Sequence, residues 1–336
     1  MFKRVLMAAA VAAAVSAPAF ADVSITGSME MNLMFIDQAG SSNVQTLDRG
    51  LQIDFNGADK LDGGGKLIWK LSQKVTSGNT NANSKNALSQ QAWGGREGWV
   101  GFTGDWGTFK AGRQFLNSYL TLDWPYGQGG NWQLAENNWY AGAAAGKLTA
   151  NFLTGASLNY QSPSFSGFSF GAQYSWDVVN AATGSRQDGN KFSENYIADL
   201  SASYNAGSLG LNAGYLFGKD VAATGDASQY YIGATYGFDF GLNLRALYTG
   251  YSQDYATGTQ DGYDWIVGGT YGFGKSFIKA SYNGSDADGF SGSRAIASAE
   301  YGYSLSKNTV AYARYQWRNK EAGDLQYVMF GAWTGF

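Results

Sequence analysis

The chain has no histidine and no cysteine among its 336 residues. Lacking histidine, it cannot build a Ser-His or Cys-His nucleophile pair, and the commonest metal ligand is missing. Lacking cysteine, it has neither a disulfide framework nor thiol chemistry. Composition therefore points away from an enzyme, with no catalytic residue, cofactor or metal site expected. Charged residues make up only 15% of the chain. The net charge of −3, with no basic stripe, argues against nucleic acid as a partner. After Phe20 no apolar run approaches the ~20 residues that a transmembrane helix needs.

The one early apolar run is short. Lys3 and Arg4 precede Val5–Val15, Pro18 breaks the run soon after, and Ala19-Phe20-Ala21 offers a small-x-small cleavage site before Asp22. This is the pattern of a secretory signal peptide. The expected organisation is a cleaved segment over residues 1–21 and a single domain over 22–336.

What is abundant is glycine, 47 residues, and aromatics, 16% of the chain. They are arranged at period two. In Asp22–Asp37, Val23, Ile25, Met29, Met31, Leu33 and Phe35 alternate with Ser24, Thr26, Ser28, Glu30 and Asn32. Thr46–Gly57 sets Leu47, Leu51, Ile53 and Phe55 against Asp48, Gln52, Asp54 and Asn56. Gly65–Thr76 sets Leu67, Trp69, Leu71 and Val75 against Lys66, Lys70 and Lys74. Later strands put Arg245, Asp264, Lys279, Arg294, Glu300, Arg314 and Arg318 on the polar parity.

Sixteen such segments are expected: 22–37, 46–57, 65–76, 91–103, 106–114, 151–162, 166–178, 192–205, 207–218, 229–239, 241–253, 262–273, 275–284, 293–304, 308–318 and 326–336. An even number of amphipathic segments of about ten residues is what a closed transmembrane antiparallel β-barrel requires. Short connections, such as Ala58–Gly64, Phe240-Gly241 and Ser304–Lys307, alternate with longer polar ones, such as Ser77–Gln90, Val179–Lys191 and Lys219–Ser228. The former are expected on the periplasmic side and the latter outside. A soluble β-sandwich also alternates. It fits less well with so many strands, a polar face of Gly, Ser, Thr and Asn, and tyrosines near strand ends (Tyr236, Tyr248, Tyr271, Tyr282, Tyr301, Tyr303).

Several stretches resemble the sixteen-stranded general diffusion porins of Gram-negative bacteria: Val23-Ser24-Ile25-Thr26-Gly27, the run Gly98–Gln114 (GWVGFTGDWGTFKAGRQ), Tyr160–Gly167 (YQSPSFSG) and the closing Phe336. The resemblance covers essentially all of 22–336. It implies an outer-membrane location, a homotrimer surrounded by lipid, and recognition of Phe336 by the barrel-assembly machinery. It also implies that the third loop, residues 115–150, folds into the lumen and narrows it. By the same resemblance Asp123 matches the loop acid of the constriction, and Arg49 and Arg96 match wall arginines of the second and fourth strands. Arg113 is kept nearby. Lys66, Lys70 and Lys74 point inward by parity alone. A second loop carboxylate found in some relatives is replaced by Tyr126, with Glu136 as a possible substitute, and the basic residue often opening the sixth strand is missing near Leu153. The loop instead carries Trp124, Tyr126, Trp132 and Trp139.

The function expected is passive diffusion of ions and small hydrophilic solutes, set by pore size and field. One alternative is a saccharide-selective pore in which the loop aromatics form a stacking track. Another is a barrel acting chiefly as an adhesin or structural protein.

Overall fold

Alternation at period two becomes pleated strand in each of the sixteen segments. The computed structural model describes residues 22–38, 44–77, 95–128, 133–135, 153–176, 195–222, 225–255, 257–288, 293–319 and 324–336. The first eight strands are β1 (Asp22–Gln38), β2 (Val44–Lys60), β3 (Lys66–Ser77), β4 (Glu97–Gly104), β5 (Gly107–Phe115), β6 (Leu153–Gln161), β7 (Phe168–Trp176) and β8 (Tyr196–Ala206). The second eight are β9 (Leu209–Ala222), β10 (Gly225–Gly237), β11 (Leu242–Tyr255), β12 (Gly258–Phe273), β13 (Ser276–Ala287), β14 (Arg294–Ser304), β15 (Thr309–Arg318) and β16 (Leu325–Gly335). Each pairs antiparallel with its neighbours in sequence, and β1 pairs with β16, so the sheet is a closed barrel. At the seam the Gly27 N–H donates to the Phe336 carbonyl at 2.9 Å, and the Phe336 N–H donates to Gly27 at 3.0 Å. Closure leaves no row of unpaired backbone groups, which is what lets a sheet stand in hydrocarbon.

The pleat sorts the side chains as expected. On β1, Met29, Met31, Leu33 and Phe35 face outward and are exposed, while Glu30, Asn32 and Met34 face the lumen and are buried. Arg245, Asp264, Glu300, Arg314 and Arg318 are buried inside the barrel. Exposed tyrosines ring much of the outer wall: Tyr236, Tyr271, Tyr301 and Tyr303 near the short-turn end, and Tyr230, Tyr248 and Tyr263 nearer the other. Among the described residues this ring is interrupted. The outer faces of β1 to β4 and of β16 carry Val23, Ile25, Leu47, Val100 and Val328, but no tyrosine.

The short turns rest on glycine where the chain passes another strand closely. Gly107 has φ +114°, and a Cβ there would lie 2.3 Å from the Gln161 carbonyl oxygen. Gly167 has φ +90° and meets the Asn205 carbonyl in the same way. A side chain at either position combines backbone strain with a clash.

The polar stretch Lys219–Ser228, expected as a long loop, is mostly strand. β9 runs to Ala222 and β10 starts at Gly225. Polarity alone does not end a strand when cross-strand groups are complementary. Here the Asp220 N–H donates to Asp226 Oδ1 at 3.0 Å, and Lys219 lies 3.8 Å from the Asp226 carboxylate. Residues 1–21, expected as a signal peptide, lie outside the described residues.

Candidate functional site

The connection between β5 and β6 turns into the barrel. Leu116 leads into a short helix, α1 (Asn117–Leu122), followed by a π-helical turn over Asp123–Gly127. Gln128 ends the turn in the left-handed region, and its N–H donates to the Trp124 carbonyl. π-helical turns are often found at functional sites, and this one sits inside the lumen.

Its landing place is written across three strands. Asn159, Gln173 and Asp199 are directly paired inward residues of β6, β7 and β8. The Asn117 N–H donates to Gln173 Oε1 at 3.2 Å, and Asn159 Nδ2 donates to Asn117 Oδ1 at 2.6 Å. Asp199, wholly buried, accepts the Ser118 N–H at 2.8 Å and the Ser118 hydroxyl at 2.5 Å. Charged acceptors make the stronger hydrogen bonds, so Asp199 is the main polar anchor of the helix.

Apolar packing completes the anchor. Leu116, Leu122 and Tyr126 join Ile197, Leu216, Leu247 and Ile266 of the wall in one buried cluster. Tyr126 is fully buried, and its hydroxyl accepts from Asn212 Nδ2 at 3.0 Å. Its ring tip occupies the space a Cβ at Gly233 would take. Arg245 Nε donates to the Tyr126 carbonyl at 3.1 Å, and Thr270 donates to Gln128 Oε1 at 2.9 Å. Further on, the Leu134 carbonyl accepts from Ser298 at 2.6 Å and from Gln316 at 3.1 Å. The loop is thus tied to the wall from β6 round to β15.

The other side of the loop carries charge. Asp123 is held by hydrogen bonds from Tyr119 and Gln133, within the fields of Lys74 and Arg96. Burial raises the Asp123 carboxyl above the usual carboxylate value, while Tyr119, Lys74, Arg96 and Gln133 pull it back. Burial also lowers the Arg96 guanidinium, against the nearby Tyr119, Glu97, Asp54 and Asp123. Arg96 sits 4.8 Å from the Phe115 ring centroid, and Phe115 stacks on Tyr119 at 5.4 Å. Arg96, Phe115, Tyr119 and Asp123 therefore form one connected unit where the loop enters the lumen.

The other expected site residues fall into place variously. Lys70 faces the lumen, but Glu97 at 2.6 Å and Asp54 at 3.9 Å offset its charge. Lys74 has the same parity without an ion pair among the described residues, so it presents charge to solute. Lys66 is exposed where β2 meets β3, at the short-turn end and away from Asp123. Arg113 shares the outward parity of Ala111 and Phe109, and its Nε donates to the Gly95 carbonyl at 2.7 Å. It fixes the residue before Arg96. Trp124 is 60% exposed, whereas Tyr126 is buried and is withdrawn from any aromatic track. Glu136, Trp132 and Trp139 lie outside the described residues.

Arg49 is a correction. Expected at the constriction, it is paired with Met31, whose side chain is 55% exposed on the outer face. Directly paired residues of an antiparallel ladder share a face, so Arg49 points out with Leu47 and Leu51. The alternation within its own segment carried that signal, and likeness of motif overrode it. Arg49→Glu should leave the reversal potential of the pore unchanged, measured across a salt gradient in a planar bilayer, while Lys74→Glu should move it toward cations.

A second charged cluster stands on the wall of β13 to β15. Lys279, Glu300 and Arg314 are directly paired across these strands. Lys279 Nζ is 2.9 Å from Glu300 Oε1, and Arg314 Nε donates to Glu300 Oε2 at 2.8 Å. Next to them the Tyr312 hydroxyl lies 2.7 Å from Asn32 Oδ1 and 3.0 Å from Glu30 Oε1, across the seam. Parity showed that these residues face in, but not that they neutralise one another. Among the described residues no group of three or more Asp, Glu, His or Cys is placed to hold a metal ion.

Comparison with known proteins agrees with the barrel fold. The family model described as Gram-negative porin matches residues 8–323. The chain is 32% identical over 143 residues to the major outer membrane protein P.IB of Neisseria lactamica, covering 41% of this chain and 36% of that protein. It is 30% identical over 181 residues to P.IB of Neisseria gonorrhoeae, covering 48% and 45%. The matched stretches thus span less than half the length of these relatives. Among solved structures, an anion-selective porin from Comamonas acidovorans superposes with a TM-score of 0.79 at 18% identity, covering 94% of this chain and all of that one. OmpT of Vibrio cholerae, in a form described as a trimer, superposes at 0.64 and 16% identity, covering 94% and 99%. At these identities the likeness is one of fold.

Proposed function

Because the chain belongs to the Gram-negative porin family, we propose that it is a water-filled channel of the outer membrane, passing ions and small hydrophilic solutes down their gradients. Family and fold point to a channel rather than an enzyme. The observation carrying the proposal is an inward loop anchored on one wall that holds Asp123 within the fields of Lys74 and Arg96. Opposed charges in a narrow passage between low-dielectric walls select by field as well as size. On this reading the short turns lie in the periplasm, and residues 1–21 are removed on export.

Asp123, Arg96 and Lys74 form the filter, with Arg113 positioning Arg96 and Lys70 balanced by its acids. Arg96→Glu should move the reversal potential toward cations, with permeability ratios changing on the order of several-fold. The channel itself is tested by reconstitution in planar bilayers. Discrete ohmic conductance steps are expected, and purified folded protein that gives none overturns the reading.

The outer wall supports a homotrimer. The outer faces of β1 to β4 and β16 lack the tyrosines that suit the membrane interface, and β2 turns the charged Arg49 outward there. That pattern suits contact with another copy. Cross-linking through cysteines introduced at Leu47 and Val100 should trap a trimer, and a purely monomeric product would count against it.

A further inference from the structure

Opposite the tyrosine-free face, the outer wall of β10 to β14 is hollowed. A recess of about 770 Å³ lies there, bordered at one end by Tyr315 of β15. Two adjacent outward rows make it. One runs Ala234–Ala246–Val267–Tyr282–Ala297, and the other runs Tyr236–Leu244–Gly269–Ala280–Ala299–Tyr315, each step a direct cross-strand pair. Six of these positions carry at most a methyl group, so the wall is thin there.

Larger side chains bound the hollow. On the far side stand Tyr248 and Trp265, with Trp265 packed on Tyr282 at 5.4 Å between centroids. On the short-turn side stand Tyr271, Tyr301 and Tyr303, all exposed. Leu244 lies close to the start of β11 at Leu242, and Ala280 close to the start of β13 at Ser276. The recess therefore lies in the half of the barrel nearest the short turns.

We propose that this trough seats one acyl chain of a phospholipid from the periplasmic leaflet. Its shape favours a chain over a protein segment. Val267 and Tyr282 fill the middle of the first row, so the open trough is about one row wide, with ~7 Å between same-face residues along a strand, and at ~4.8 Å per strand it is roughly 20 Å long. A helix, with a diameter of ~10–12 Å, is too wide to enter it. The lining is apolar, as the hydrocarbon interior of a bilayer requires, and the tyrosines below it carry hydroxyls at the height where headgroups begin. The trimer contact proposed above lies on the other side of the barrel and would leave the trough to lipid. The proposal rests on the barrel's place in the membrane and not on conduction.

Native mass spectrometry of the protein, with phosphatidylethanolamine supplied in mixed micelles, tests this. Wild type should keep a phospholipid adduct through detergent exchange. Ala246→Phe with Ala280→Phe, which fills the trough, should reduce that adduct at least tenfold, while Ala313→Phe, outside it, should not. Heat-modifiable migration confirms that each variant is folded. Should the filled variant fail to fold, phosphatidylethanolamine with brominated chains gives a second measurement on intact protein. The fluorescence that distinguishes wild type from Trp265→Phe should be quenched to saturation at low mole fraction. Equal adducts in wild type and the filled variant, no adduct in wild type, retention of lipopolysaccharide alone, or quenching that merely tracks bulk mole fraction each overturns the proposal.

Discussion

Tyr126→Ala will widen the pore and weaken the fold together. The Tyr126 side chain is fully buried between the inward loop and the wall, so truncation leaves a cavity against Gly233 and strands the Asn212 amide. Replacing a buried large aromatic residue by alanine costs about 3–5 kcal/mol. Because the packing it removes is that of loop on wall, much of the loss is local to the loop. The expected readout is a higher single-channel conductance with frequent fluctuations, and an intact barrel that unfolds at a lower temperature. Tyr126→Phe keeps the ring and should keep the conductance. Unaltered conductance in Tyr126→Ala would show that the polar anchors hold the loop without it. Asp199→Ala, which removes the acceptor of both Ser118 bonds, is the companion test.

The second large effect is expected at Glu300. Its carboxylate lies between Lys279 and Arg314, and both it and Arg314 are buried. Such a pair adds little net stability over an apolar replacement, but removing one partner leaves a buried charge uncompensated, at a cost of about 3–5 kcal/mol. Glu300→Ala should therefore lower the unfolding midpoint sharply and, in molecules that fold, shift selectivity toward anions. Adding Arg314→Leu should recover most of the stability, because Lys279 is more exposed and hydrates. No loss in Glu300→Ala would mean that lumen water already solvates the guanidinium.

Acid offers a reversible version of the same shift. Burial raises the Asp123 carboxyl, so it takes up its proton at a higher pH than an exposed aspartate would. As pH falls through that raised value the filter loses a negative charge while Lys74 and Arg96 keep theirs. Anion preference should then grow on acidification, and Asp123→Asn should lack the inflection while matching wild type at the acid end. A titration of reversal potential from neutral to acid pH decides it.

How far the molecule could be read from its residues depends on the range of the forces involved. The strands were legible because each obeys a period of two that neighbouring residues reveal by themselves. Arg49 shows the strength of that signal, since parity with Leu47 and Leu51 placed it outside where motif likeness placed it in the filter. The loop acid Asp123 was legible as a motif. Its anchors were not, because Asn159, Gln173 and Asp199 come together only through the register of three strands. The same holds for Lys279, Glu300 and Arg314, whose neutralisation is set by pairing partners. Tyr126 is the subtlest case. An aromatic in a polar loop fits lining and packing equally well, and only the missing side chain at Gly233 decides for packing.

The seam between β1 and β16 also orders events in time. Tyr312 and Glu30, which meet over it on the inner wall, are 282 positions apart in the chain. Bringing such distant segments together is entropically costly and slow, and it is rewarded only when the final hairpins exist. A nascent barrel therefore carries two sticky edges until its last strand is in place, which makes the unclosed intermediate the species most exposed to aggregation.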